Sequence, residues 1–161
     1  MLSLSVKRDF MDKKNYLQEL KELNNRRNYC KEISNIIHRI TVSDFLSIEE
    51  TREKLNAIIE RIENSEFQKH PLSCDVNALF EQYIHKIYRD DKFIFFQYNS
   101  VIIGALTLYG FEIVENSGYI FEQSPVAKGW NDLFIVTKDM QSGFCIWKGE
   151  YDIRIYQWNK S

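Results

Sequence analysis

The sequence predicts an α+β fold: N-terminal helices followed by a twisted antiparallel sheet (a meander) with helices packed on one side. Three observations predict it. All six glycines, and 15 of the 23 aromatic residues, lie after Lys92. The first 92 residues carry 16 basic and 16 acidic side chains, whereas the remainder carries only 5 and 7. Short apolar runs separated by turn residues close the chain, without the helix–strand alternation of a parallel sheet. A length of 161 residues and a 44% hydrophobic composition suit one domain over 1–161, mainly helical over 1–92 and mainly strands over 93–161.

The first helical pattern runs from about Asp12 to Ile40, with Leu17, Leu20 and Leu23 in one stripe and Cys30, Ile33, Ile37 and Ile40 in another. The polar segment Asn24-Asn25-Arg26-Arg27-Asn28 between them predicts either two helices with a break there or one long helix with a polar middle. Ser47-Ile48-Glu49-Glu50 has the Ser-x-x-Glu spacing of a capping box and opens a stripe of Leu55, Ile58, Ile59 and Ile62. After the interruption at His70-Pro71, Ser73 or Asp75 caps a further helix with Val76, Leu79, Phe80, Tyr83, Ile84 and Ile87 on its apolar face. That wide aromatic face is expected to lie against the sheet.

Phe93-Ile94-Phe95-Phe96 and Val101-Ile102-Ile103 read as strands, although periodicity does not separate so short an apolar run from a buried helix. Leu133 to Val136, Gly143 to Trp147 and Tyr151 to Tyr156 are spaced by Asp139 to Ser142 and by Lys148-Gly149-Glu150, which predicts a three-stranded antiparallel meander.

A formal net charge of -2 disfavours a dedicated nucleic-acid binder. No segment approaches the ~20 apolar residues of a membrane helix, and the first ten residues have no signal-peptide core. Cys30, Cys74 and Cys145, odd in number and widely spaced, read as reduced thiols, so a cytoplasmic protein without membrane attachment is expected.

Recognisable chemistry is sparse. His70, Cys74 and His85 are the closest soft-ligand grouping, without the paired two- to four-residue spacing of a zinc site, and no metal or cofactor is expected. Glycine-rich phosphate loops, nucleophile elbows and His-Glu-x-x-His motifs are absent from the sequence. Cys74 with His70 or His85 offers the one route to a hydrolase-type enzyme, and a non-enzymatic protein is the leading expectation.

The aromatic surplus points elsewhere. Either helices cover the second sheet face or some aromatics form a recognition surface, with Trp130, Trp147 and Trp158 the best anchor types. From Phe93 to Ala127 there are three acids and no Lys or Arg, and Asp132, Asp139, Glu150 and Asp152 continue the acidity along the meander. Such a face suits a basic protein partner. The candidate partner-binding set is Trp130, Asp132, Asp139, Trp147, Glu150 and Asp152.

Lys92-Phe-Ile-Phe-Phe-Gln-Tyr-Asn-Ser100, with Gly104-Ala-Leu-Thr-Leu-Tyr-Gly110 after it, resembles a hallmark of the SUKH superfamily. Trp130-Asn-Asp-Leu-Phe-Ile-Val136 and Gly143-Phe-Cys-Ile-Trp147 are similar to its later block, so the resemblance covers roughly residues 80 to 158. Ser100 stands where that family usually has Gly, and Asp90-Asp91 where it commonly has Leu-Pro. The superfamily includes bacterial immunity proteins and a yeast cell-wall-synthesis regulator. The resemblance implies a binding module that neutralises a cognate polymorphic toxin, and it implies that Phe93 to Tyr98 end a helix; a monomer or weak homodimer is expected. A regulatory scaffold subunit docking through the Leu17 to Ile40 stripe is a further alternative.

Overall fold

The structure, a computed structural model, describes residues 4–159. The chain divides into two units, Met1–Val42 and Ser43–Ser161.

In the first unit, helix α1 (Leu4–Ser34) runs unbroken through the Asn24 to Asn28 segment, which is the second of the two alternatives predicted. Asn and Arg cost a helix only a few tenths of a kcal/mol each, and no Gly or Pro removes a hydrogen bond there. The helix ends before the last members of the stripe. The Ile36 and Ile37 amides both turn back to the Ile33 carbonyl, and the Cys30 thiol lies 3.8 Å from the Ile40 carbonyl oxygen.

The second unit begins its regular structure with α2 (Ile48–Glu63), capped as predicted by Ser47, whose Oγ accepts the Glu50 N–H at 3.0 Å. There follow β1 (Phe67–Pro71), α3 (Val76–Ile84), β2 (Lys92–Phe95), α4 (Ser100–Ile103), β3 (Leu106–Tyr109), α5 (Gly110–Glu115), α6 (Ser117–Glu122), β4 (Asp132–Thr137), β5 (Gly143–Lys148) and β6 (Asp152–Trp158). Asp75 is the residue that caps α3, its Oδ1 accepting the Asn77 N–H at 2.9 Å. The six strands form one antiparallel sheet in the order β1-β6-β5-β4-β2-β3, with the predicted meander β4-β5-β6 at its centre.

Three local expectations need correction. Val101-Ile102-Ile103 belongs to the short helix α4, bounded by Asn99 and by Gly104 at φ 95°; Val101 and Ile102 are exposed and only Ile103 enters the core. Phe93 to Tyr98 is not the end of a helix, as the SUKH resemblance implied, because Phe93, Ile94 and Phe95 pair with β3 and β4 on either side. His70-Pro71 does not merely interrupt the helices. It ends the edge strand β1, where a missing N–H is tolerated at the sheet's rim.

Helices also pack on both faces of the sheet instead of one. On the first face Ile58 of α2 joins Ile94, Phe96, Phe134, Val136, Cys145 and Trp158 in one buried cluster. On the other face Phe80 and Tyr83 of α3 meet Phe144 of β5, with ring centroids 6.3 and 5.8 Å apart, and Phe80 meets Phe121 of α6 at 5.7 Å. A strand run such as Leu133-Phe134-Ile135-Val136, apolar at every position, requires cover on both sides, and all four residues are buried. Trp158 is therefore core, its indole N–H donating to the Met140 carbonyl at 3.3 Å.

Among the described residues, no helix is long and apolar enough to cross a membrane.

Candidate functional site

The α2 stripe is wider than one packing seam. Ile58 is fully buried beneath the helix, while Ile59, one position further round, remains 39% exposed. With Leu55 and Ile62 it forms one wall of an open groove of about 420 Å³. Glu63 stands at the helix end, and Asp132, Phe134, Trp147, Arg154 and Tyr156 of β4, β5 and β6 make the floor. Thr51 ties this wall to the link between α4 and β3: its hydroxyl donates to the Ser47 carbonyl at 2.8 Å and accepts the Ala105 N–H at 2.8 Å.

The floor follows from strand register. Asp132 lies directly opposite Trp147, and Trp147 directly opposite Arg154, so the three side chains share one face at one end of the sheet. Asp132 is half-buried, and burial raises its carboxyl above the ordinary value, an effect that a hydrogen bond from its own backbone N–H partly offsets. Arg154 is already committed. Its Nε donates to both Asp152 oxygens at 3.2 and 3.4 Å, and its guanidinium carbon stands 4.6 Å from the Phe67 ring centroid. A hydrogen bond with Tyr156 and the charge of Asp152 hold the guanidinium above its usual range.

The predicted partner-binding residues are thereby sorted. Asp132 and Trp147 meet in the groove. Trp130, 68% exposed, precedes β4 at the same end, and Glu150 is exposed in the β5–β6 turn beside Tyr151, itself 83% exposed. Asp152 is also at this end but is buried and neutralised by Arg154, with the Lys69 ammonium 3.9 Å away. Asp139 lies apart, in the β4–β5 turn at the opposite end of the strands, roughly 17 Å away at the usual rise per residue. Its Oδ1 accepts from the Thr137 hydroxyl at 2.6 Å and from the Gln141 N–H at 3.0 Å.

Ile59, Phe134, Arg154 and Tyr156 stand outside the candidate partner-binding set read from the sequence. The wide α2 stripe and the β5–β6 register were the signals that pointed to them.

The other sequence candidates lie outside the groove. Cys74 precedes α3 and His85 caps its far end, where it lies 3.7 Å from Glu81. The nine-residue helix α3, roughly 14 Å long, lies between the two residues in the chain. Cys145 is buried, and desolvation, with the nearby Asp132 charge, pushes its thiol well above the ordinary value. Glu112 accepts the Tyr109 N–H at 2.8 Å, and Glu115 pairs with Arg89 at 2.7 Å, so two acids of the 93 to 127 segment serve the fold. No group of three or more His, Cys, Asp or Glu side chains among the described residues is placed to hold a metal ion.

The fold and groove define an α+β domain with an apolar cleft, rimmed by aromatic and acidic side chains, between a helix and the open face of an antiparallel sheet. Residues 30–158 match the family model described as YxiF protein, and the chain belongs to that family. No curated protein and no solved structure matches the chain significantly.

Proposed function

We propose that this chain is a non-enzymatic protein-binding module of the immunity type, acting in the cytoplasm, that neutralises a cognate toxin domain by covering its active site or an essential surface. The observation that carries this reading is the juxtaposition of Asp132 and Trp147 in an open apolar groove. Exposed Trp130 and Tyr151 stand at the same end of the sheet.

Large, half-exposed aromatics around a concave apolar surface are the side chains that carry most binding energy in protein interfaces. The SUKH resemblance of residues 80 to 158 supports the same reading, since an α+β binding module is what it implies. The contacting set is then Trp130, Asp132, Trp147 and Glu150 with the α2 wall, while Asp152 acts indirectly by holding Arg154 in place.

The test is a growth-rescue assay. The partner is captured from the native host at moderate salt, identified, and expressed with or without this chain. A stoichiometric partner with a toxic C-terminal domain, whose toxicity this chain suppresses, is the expected result. Rescue that survives Trp147→Ala and Ile59→Glu together would remove the groove from the mechanism. A captured protein that is not toxic would remove the immunity role.

A further inference from the structure

The groove carries an uncompensated charge. Of its two acids, Glu63 is exposed at the helix end, whereas Asp132 is half-buried beside Phe134 and Trp147. No ion pair to Asp132 forms among the described residues. The groove's one cation, Arg154, is spent on Asp152 and Phe67. A carboxylate held partly out of water without a cationic partner costs the fold free energy, and a cation brought by a ligand recovers it.

The rest of the groove states what else that ligand must have. Trp147 sits across the strand pair from Asp132, and an indole beside a carboxylate favours a flat, weakly hydrated cation over a compact ammonium. Leu55, Ile59, Ile62 and Phe134 offer only apolar contact. The volume, about 420 Å³, falls in the roughly 300–1,000 Å³ range of pockets that engulf a ligand.

Resting on the protein-docking reading above, we infer that the groove receives an arginine side chain of the partner polypeptide, its guanidinium on Asp132 and Trp147, with a neighbouring apolar side chain against Leu55, Ile59 and Ile62. Arginine suits the site because the planar fork can bond a carboxylate through two N–H groups while its face lies against an aromatic ring. The partner surface is accordingly basic and apolar together.

The probe is the capped pentapeptide Ala-Leu-Arg-Leu-Ala, titrated into the full chain and followed by the indole N–H and backbone amide NMR signals. Its counterpart carries citrulline, which keeps the shape of arginine and lacks the charge. Saturable shifts at Trp147, Asp132 and Ile59 are expected with the arginine peptide, and at least roughly tenfold weaker binding with citrulline or with Asp132→Asn.

Equal binding of both peptides at the groove would overturn the arginine assignment and leave apolar docking standing. Equal binding of the arginine peptide to the wild type and to Asp132→Asn would overturn the role of Asp132. Shifts confined to other surfaces, or no saturable shift at all, would overturn the inference while the growth-rescue assay still decides the docking reading. Groove signals that move with protein concentration alone would instead make a second copy of this chain the occupant.

Discussion

Replacing Thr51 by Val tests how the groove wall is held. The side chain is fully buried, and the two residues are nearly isosteric, so packing is preserved while the hydroxyl is lost. The Ser47 carbonyl keeps a partner, because the Thr51 backbone N–H also donates to it at 2.9 Å. The Ala105 N–H does not: Thr51 Oγ1 is its acceptor, 2.8 Å away, and Ala105 is itself fully buried. An unsatisfied buried donor costs about 1–3 kcal/mol. At about 2–4 °C per kcal/mol for a chain of this size, Tm should fall by roughly 4–8 °C for a loss near 2 kcal/mol.

Thermal and urea unfolding read the loss, and amide hydrogen exchange at Ala105 reads its cause. Protection there should drop in Thr51→Val and persist in Thr51→Ser, which keeps the hydroxyl and gives up only a methyl group. A Thr51→Val protein within about 0.5 kcal/mol of the wild type, with Ala105 still protected, would refute the reasoning.

Asp132→Asn should raise stability at neutral pH. The folded state holds the Asp132 proton more tightly than the unfolded chain, so ionisation costs stability as pH rises through the folded pKa. The gain, read as Tm against pH, should fade as pH falls below about 3.8, the ordinary carboxyl value, and a constant gain would point to a cause other than ionisation. Gly110→Ala should destabilise by about 1–3 kcal/mol in urea unfolding, because the added Cβ collides with the Tyr88 carbonyl oxygen and meets Arg89 Cα at 3.0 Å. Gly118→Ala, with open space around it, should be neutral or stabilising by up to about 1 kcal/mol. Iodoacetamide at pH 8 should modify Cys74 before Cys145, which should react only when the chain unfolds; early labelling of Cys145 would contradict its burial.

Local signals in the sequence carried over well. Ser47 with Glu50 marks a real helix start, and the spacing of the last three apolar runs is a real meander. The failures are of a different kind. β1 is a polar edge strand, Phe67 to Pro71, whose pairing with β6 is more than 80 residues away along the chain, so nothing local announces it. Val101 to Ile103 has strand-like composition, yet the Asn99 and Gly104 punctuation on either side prevailed over β propensity.

The site was half legible. Residue type alone singled out Asp132 and Trp147, and the hairpin register brings them face to face. Ile59, Phe134 and Arg154 join them only because α2 lies across β4 to β6, a tertiary fact that neither the width of the α2 stripe nor the strand register states by itself. Charge counting does not show that Asp152 and Asp139 are already engaged within the fold, each by residues two positions along the chain. One is buried against Arg154, and the other caps its own turn.

Asp132 also offers a stability–function trade-off. The carboxylate that weakens the folded chain is the group inferred to hold the partner, so Asp132→Asn should gain stability and lose affinity in the same protein.

Hydroxyl-radical footprinting of the full chain, free and bound to its captured partner, tests the docking surface most directly. Oxidation should fall at Trp130, Trp147, Tyr151 and Ile59 in the complex. It should stay unchanged at Tyr88, which is 78% exposed and lies toward the opposite end of the sheet. A complex in which Trp147 and Ile59 oxidise as fast as in the free chain would contradict the groove as the binding site.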